Sequence, residues 1–80
     1  MATASVSLTA NTWTLISEAT CTFQVRTENP IYTLEAASLP TAWPNTVAKE
    51  AEAGEIYGYT KSDGNLYGYS PNIAAKVSIG

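Results

Sequence analysis

Histidine is missing from this 80-residue chain, and cysteine occurs once. The commonest general base and the commonest metal ligand are therefore gone. The lone thiol, Cys21, has no base to make it thiolate and no second cysteine for an internal disulfide, so it reads as a small buried hydrophobe. Positive charge is equally scarce. Arg26, Lys49, Lys61 and Lys76 are the only basic residues, they do not cluster, and the net charge is −3. That balance excludes a phosphate-tracking surface, and no nucleic-acid partner is expected. No apolar run approaches the ~20 residues of a membrane span, and Met1-Ala2-Thr3 lacks the positive start of a signal peptide. A soluble chain made in the cytoplasm, with no membrane partner, is expected. Glycine-rich phosphate loops are also lacking, because Gly54, Gly58, Gly64 and Gly68 fall in turns and strands, so no cofactor is expected.

Charge of either sign is sparse. Charged residues make up 14% of the chain, against about 25% in ordinary soluble domains. Eighty residues form a single domain, 1–80, and a chain this short buries only ~60% of the surface it exposes when unfolded. Without disulfides or a metal, the remaining support is oligomerisation or docking on something larger.

What is present is a succession of short β patterns. Residues 3–9 alternate, with Ala4, Val6 and Leu8 on one side. After the Ala10-Asn11 turn, residues 12–17 form a second run whose adjacent Leu15 and Ile16 imply a bulge or burial on both sides. Residues 20–27 set Cys21, Phe23 and Val25 against Thr22, Gln24 and Arg26. Glu28-Asn29-Pro30 turns the chain. Residues 31–37 follow, with Tyr32, Leu34 and Ala36 on one face and Ile31 and Thr33 on the other. Two prolines keep residues 39–45 out of a sheet, leaving a crossover loop that presents Trp43 either as a plug or to a partner. Residues 46–53 are good helix formers ending at Gly54, yet barely two turns long and without an apolar stripe. They read as a short helical turn or a loosely held edge segment. Residues 73–79 close the chain, with Ile73, Ala75, Val77 and Ile79 inward. Trp13, Leu15, Phe23 and Val25 are the expected core. The fold class is all-β, a small antiparallel sandwich or barrel of about seven short strands.

The densest signal is a tyrosine-rich hairpin at 55–70. Ile56-Tyr57-Gly58-Tyr59-Thr60 and Leu66-Tyr67-Gly68-Tyr69-Ser70 flank Ser62-Asp63-Gly64, and a three-residue loop needs Gly64 in the left-handed conformation. That register pairs Tyr59 with Tyr67 and Tyr57 with Tyr69, placing all four tyrosines on one face; a two-residue loop would split them. Tyrosine offers a wide, stiff ring with a polar tip, so Tyr57, Tyr59, Tyr67, Tyr69 and Trp43 are the candidate contacts with partners or with other copies. They serve equally as cover for one sheet.

Catalysis finds little to work with. Glu18, Glu28, Glu35, Glu50, Glu52, Glu55 and Asp63 are scattered over turns and edges, and a chain of this size leaves little room for the cleft a carboxylate pair needs. No enzyme is expected.

Six segments taken in order carry a resemblance: Trp13-Thr14-Leu15-Ile16-Ser17, Phe23-Gln24-Val25-Arg26-Thr27, Pro30-Ile31-Tyr32, Ala36-Ala37-Ser38-Leu39-Pro40, Gly64-Asn65-Leu66-Tyr67 and Ala75-Lys76-Val77-Ser78-Ile79. In pattern and spacing the chain resembles small all-β virion proteins of tailed bacteriophages: head-decoration or cement proteins, head-fibre bases and fibre adaptors. It departs from them at Gly68-Tyr69, where an alanine-arginine pair is usual, and over residues 48–53. The resemblance implies a non-enzymatic virion protein, trimeric or otherwise symmetric, that binds capsid or tail subunits to stabilise or decorate the particle. The alternative it leaves open is a glycan- or receptor-binding knob or adaptor of a fibre, with a host glycan stacked on the aromatic residues.

Overall fold

A computed structural model describes residues 4–41, 43, 47–62 and 64–80. Met1-Ala2-Thr3, four residues of the stretch around Trp43 (42 and 44–46) and Asp63 of the expected hairpin loop lie outside the described residues. The described chain forms eight strands: β1 (Ala4–Leu8), β2 (Thr14–Ser17), β3 (Cys21–Val25), β4 (Ile31–Ala36), β5 (Lys49–Ala51), β6 (Ile56–Tyr59), β7 (Asn65–Tyr69) and β8 (Ala75–Ile79). They make two four-stranded antiparallel sheets, ordered β1-β8-β3-β6 and β2-β7-β4-β5. The all-β class is as expected. The arrangement is a sandwich of two open sheets, so the barrel alternative falls away.

The inner faces meet in one apolar layer. Leu8, Phe23, Val25, Tyr59, Ala75 and Val77 come from the first sheet, and Ile16, Ile31, Ala51 and Leu66 from the second. Period-2 alternation explains most of this, since Phe23 and Val25 point in while Thr22 is exposed. Cys21 is half-buried against the same layer.

Four expectations need correction. The first is Leu15, which was placed in the core but is 38% exposed, while Ile16 is buried. A register shift between Leu15 and Ser17 is the cause: the bulge hands the inward position to Ile16. Secondly, of the two readings of residues 46–53 the helical turn gives way and the edge segment holds: residues 49–51 are an edge strand, paired with β4 through Ile31↔Ala51, Tyr32↔Glu50 and Thr33↔Lys49. Placing Ala51 in the core outweighs the helix propensity of a segment with no apolar stripe to bury. Gly54, with φ of +84°, serves the turn into β6. Thirdly, Ile73 is 48% exposed because the last strand begins only at Ala75.

The fourth correction concerns the hairpin. β6 and β7 do not pair; they lie in different sheets. β6 pairs with β3, through Cys21↔Tyr59 and Phe23↔Tyr57, whereas β7 runs between β2 and β4. The burial of β7 gives the reason. Leu66, Tyr67 and Tyr69 are all buried although they point to opposite faces, so β7 needs cover on both sides and neighbours on both edges. β2 and β4 occupy both of its edges, which leaves no edge for β6. The loop therefore carries the chain from one sheet to the other. Gly64 is not left-handed; a Cβ there would sit 2.8 Å from the Ala36 backbone nitrogen. It is glycine because two backbones touch. A Cβ on Gly58 would meet nothing within 4 Å.

These surroundings separate the glycines experimentally. Gly64→Ala is expected to lower unfolding stability by about 1–3 kcal/mol through overpacking. Gly58→Ala should stay within about 0.5 kcal/mol of the parent. Urea midpoints for the two variants check this.

Candidate functional site

Two turns fix the end of the molecule where the aromatic residues gather. Asn11 and Asn72 both adopt left-handed backbone, with φ of 59° and 66°, a region asparagine tolerates better than most residues. They interlock. The Asn11 amide donates to the Ser70 carbonyl at 2.9 Å, and the Asn72 amide donates to Asn11 Oδ1 at 2.9 Å. The Ser70 hydroxyl, fully buried, donates to the Ile73 carbonyl at 2.5 Å. This clasp lays the start of β2 beside the end of β7, bringing Trp13 next to Tyr69.

From there an apolar deck spreads over the outer face of the second sheet. Trp13, Tyr67 and Tyr69 are buried in it, and Leu34, Ala36 and Ala48 pack around them. The strand register builds the deck. Tyr32 lies opposite Tyr69 and Leu34 opposite Tyr67 across β4 and β7, while Leu15 lies opposite Tyr67 across β2 and β7. Directly opposed side chains on one face are the contact unit of a sheet.

Trp43 closes over this deck from the 39–47 connection. Its ring stacks on Tyr69 at 4.2 Å between centroids and 13° between planes. Tyr32 meets it at 4.9 Å and 59°, and Trp13 edge-on at 6.2 Å and 67°. Trp13 and Tyr69 are themselves 5.3 Å apart. Trp43 nevertheless stays 37% exposed, and Leu39 and Val47 on the same connection are 53% and 67% exposed. Beside it runs an open groove of about 360 Å³ lined by Asn11, Thr12, Trp13, Leu39, Pro40, Thr41, Trp43 and Tyr69.

The five candidate contact residues are thus divided. Trp43 and Tyr69 meet face to face, and Tyr67 lies under the same deck. Tyr57 and Tyr59 belong to the other sheet and point into the layer between the sheets. The single tyrosine face expected from the hairpin does not exist, because the crossing after Tyr59 sends the two pairs to different surfaces. Tyr57 stacks on Phe23 at 5.5 Å, and its hydroxyl accepts the Glu52 amide at 2.7 Å. The Tyr59 hydroxyl donates to the Gly64 carbonyl. Tyr59 is buried and Tyr57 half-buried there. Sequence reasoning did not group Trp13 and Tyr32 with Trp43, whose ring both of them meet. The alternation of Tyr32, Leu34 and Ala36 opposite a buried Ile31 was the available signal that β4 has apolar cover on both sides.

Among the described residues, no group of three or more Cys, Asp or Glu comes together to hold a metal. No helix among them is long and apolar enough to cross a membrane. No family model, curated protein or solved structure matches this chain.

Burial pushes the Tyr59 phenol above its ordinary pKa, and the Glu35 carboxylate adds to the rise. The folded state thus favours the neutral phenol. Its stabilising contribution is full below the unfolded value of about 10 and is lost as pH climbs through the higher folded value. Urea midpoints should therefore fall on the alkaline side of about pH 10. Tyr59→Phe should flatten that fall while lowering the neutral-pH midpoint, since the Gly64 carbonyl loses its donor.

Proposed function

We propose that this chain is a non-enzymatic structural module that associates with copies of itself and docks on a larger protein surface. The surface named by its sequence resemblance is the capsid or tail of a tailed bacteriophage. One observation carries the reading. A tryptophan is laid over a buried aromatic deck on the outside of a sheet, held on three sides by Trp13, Tyr32 and Tyr69, yet still open to solvent. A ring already ordered in the free protein loses little entropy when a partner covers it, and aromatic anchors of this kind dominate protein contacts. The exposed Leu39 and Val47 extend the same apolar surface. Sparse charge suits it further, because charged residues are depleted at interface centres.

The groove supports a second reading, a glycan-binding knob or adaptor. Indole and phenol walls from Trp13, Trp43 and Tyr69 stand beside the hydrogen-bonding groups of Asn11, Thr12 and Thr41. Flat apolar walls beside fixed polar groups can cradle a sugar ring.

Trp43→Ala tests the first reading. The substitution lies outside the layer between the sheets, so the domain should stay folded, whereas Tyr69→Ala should destabilise it. Co-sedimentation with particles of the phage that encodes the chain should weaken about tenfold or more in Trp43→Ala. Unchanged binding overturns the docking role of the deck. For the second reading, tryptophan fluorescence titrated with host polysaccharide should shift and saturate; a flat titration removes it.

A further inference from the structure

We propose that the free edge of β6 is a self-recognition strand, pairing antiparallel with β6 of a second copy about a two-fold axis at Gly58. The inference deepens the self-association just proposed and rests on it.

The hydrogen-bond directions can be worked out residue by residue. Thr22 and Gly80 exchange both backbone bonds, at 3.3 and 3.1 Å, and the Arg26 amide donates to the Lys76 carbonyl at 2.8 Å. The even-numbered residues of β3 therefore bond toward β8. In an antiparallel ladder alternate residues point to opposite neighbours, so Cys21 and Phe23 bond toward β6. Their partners are Tyr59 and Tyr57. It follows that the N–H and C=O groups of Ile56 and Gly58 point off the edge, where β6 ends the sheet order.

That edge is unprotected. Ile56-Tyr57-Gly58-Tyr59 contains no charge and no proline, Ile56 is 71% exposed, and Gly58 has open space where a side chain would stand. Soluble proteins usually guard an edge with charge, a bulge or extreme shortness. The edges of the other sheet follow that practice: β5 has three residues and carries Lys49 and Glu50, and β2 is bulged. β1 is also uncharged, but no charged residue flanks it to set a register.

Flanking charge is what commits β6 to a second copy. Glu55 precedes the strand and Lys61 lies two positions after it, each three positions from Gly58. Pairing two β6 strands with Gly58 opposite Gly58 puts Glu55 of each copy opposite Lys61 of the other, so the charge pair forms twice. In this register Gly58 exchanges both of its edge-facing hydrogen bonds with its counterpart. Ile56 lies opposite Thr60, which covers part of the exposed isoleucine, and Tyr57 lies opposite Tyr59. Sliding either strand breaks both charge pairs. The product is a continuous eight-stranded sheet.

Sedimentation velocity over a concentration series reaching millimolar, with charge reversals, tests the pairing. The parent chain should dimerise reversibly. Lys61→Glu and Glu55→Lys should each weaken the dimer roughly tenfold by setting like charges opposite one another twice. The double variant Glu55→Lys/Lys61→Glu should recover it. Gly58→Pro, whose lost N–H faces off the edge, should remove the dimer while the single chain stays folded. In parallel, the Ile56 and Gly58 amide resonances should move with concentration. A parent chain that stays monomeric, or reversals that change nothing or are not rescued by the double swap, overturn the edge pairing. If the chain associates indifferently to these changes, or as a monomer still binds particles through Trp43, the edge proposal alone is lost. Particle binding that survives Trp43→Ala counts against the docking role instead.

Discussion

The passage of the chain from Tyr59 to Asn65 governs the layout of the whole sandwich. At this point two sheets must be linked by a handful of residues, and the link works because Gly64 lies directly on the Ala36 backbone with no side chain between them. The Tyr59 hydroxyl, leaving the end of one sheet, holds the Gly64 carbonyl at the start of the other. A buried hydroxyl bonded across a sharp connection fixes both its own ring and the loop. Everything after it inherits that placement. β7 enters the middle of the second sheet, Leu66 and Gly68 turn inward, and Tyr67 and Tyr69 turn out. A Cβ on Gly68 would sit 2.6 Å from Ile16 Cδ1 and 2.8 Å from Leu8 Cδ2, so the core closes tightly over it.

The consequence is an all-β domain with two apolar layers where a single sandwich usually has one. The inner layer is small, as an 80-residue chain requires. The outer one adds two tryptophans and three tyrosines over one sheet, and buried aromatic rings contribute more apolar area per residue than any other side chains. Trp13, Tyr67 and Tyr69 are buried there and add to the stability of the fold, while Trp43 above them leaves part of the same layer exposed to solvent. Under the proposed docking role, stability and recognition would draw on one cluster.

Much of this was legible beforehand, and the rest failed for identifiable reasons. Strand positions followed from alternation, most clearly at Phe23 and Val25, because a face packed on one side leaves an unambiguous period of two. The bulge at Leu15 was visible as two adjacent apolar residues, but which of them turns inward depends on the partner strand, and Ile16 took the place. Residues 46–53 could be read as a helical turn or an edge segment because helix propensity is local, whereas the gain from setting Ala51 against Ile31, which decides for the edge, is not. The tyrosine stretch was the largest error. A short loop between two β-prone runs ordinarily makes a hairpin, and nothing local records that Gly64 is needed for contact with Ala36, 28 positions earlier in the chain, and not for a left-handed turn. For the same reason the four tyrosines, grouped on one face in the sequence, lie in two places: Tyr69 stacks with Trp43 on the outer deck, while Tyr57 and Tyr59 belong to the other sheet.

The two surfaces left open by this fold are separate. The aromatic deck lies on the outer face of the β2-β7-β4-β5 sheet, and the unguarded strand ends the other sheet. A contact at the β6 edge extends the first sheet sideways and leaves the deck of each copy uncovered. Two chains joined in this way would present two copies of Trp43 in fixed relation, and a repeating protein surface can engage both at once. The second contact is then made at a high effective concentration, so modest individual interfaces sum to firm attachment. For a domain with a small core and few charges, such division of labour is physically economical. One edge would supply symmetry through backbone hydrogen bonds, one face would supply the aromatic anchor, and neither would ask the inner layer to change.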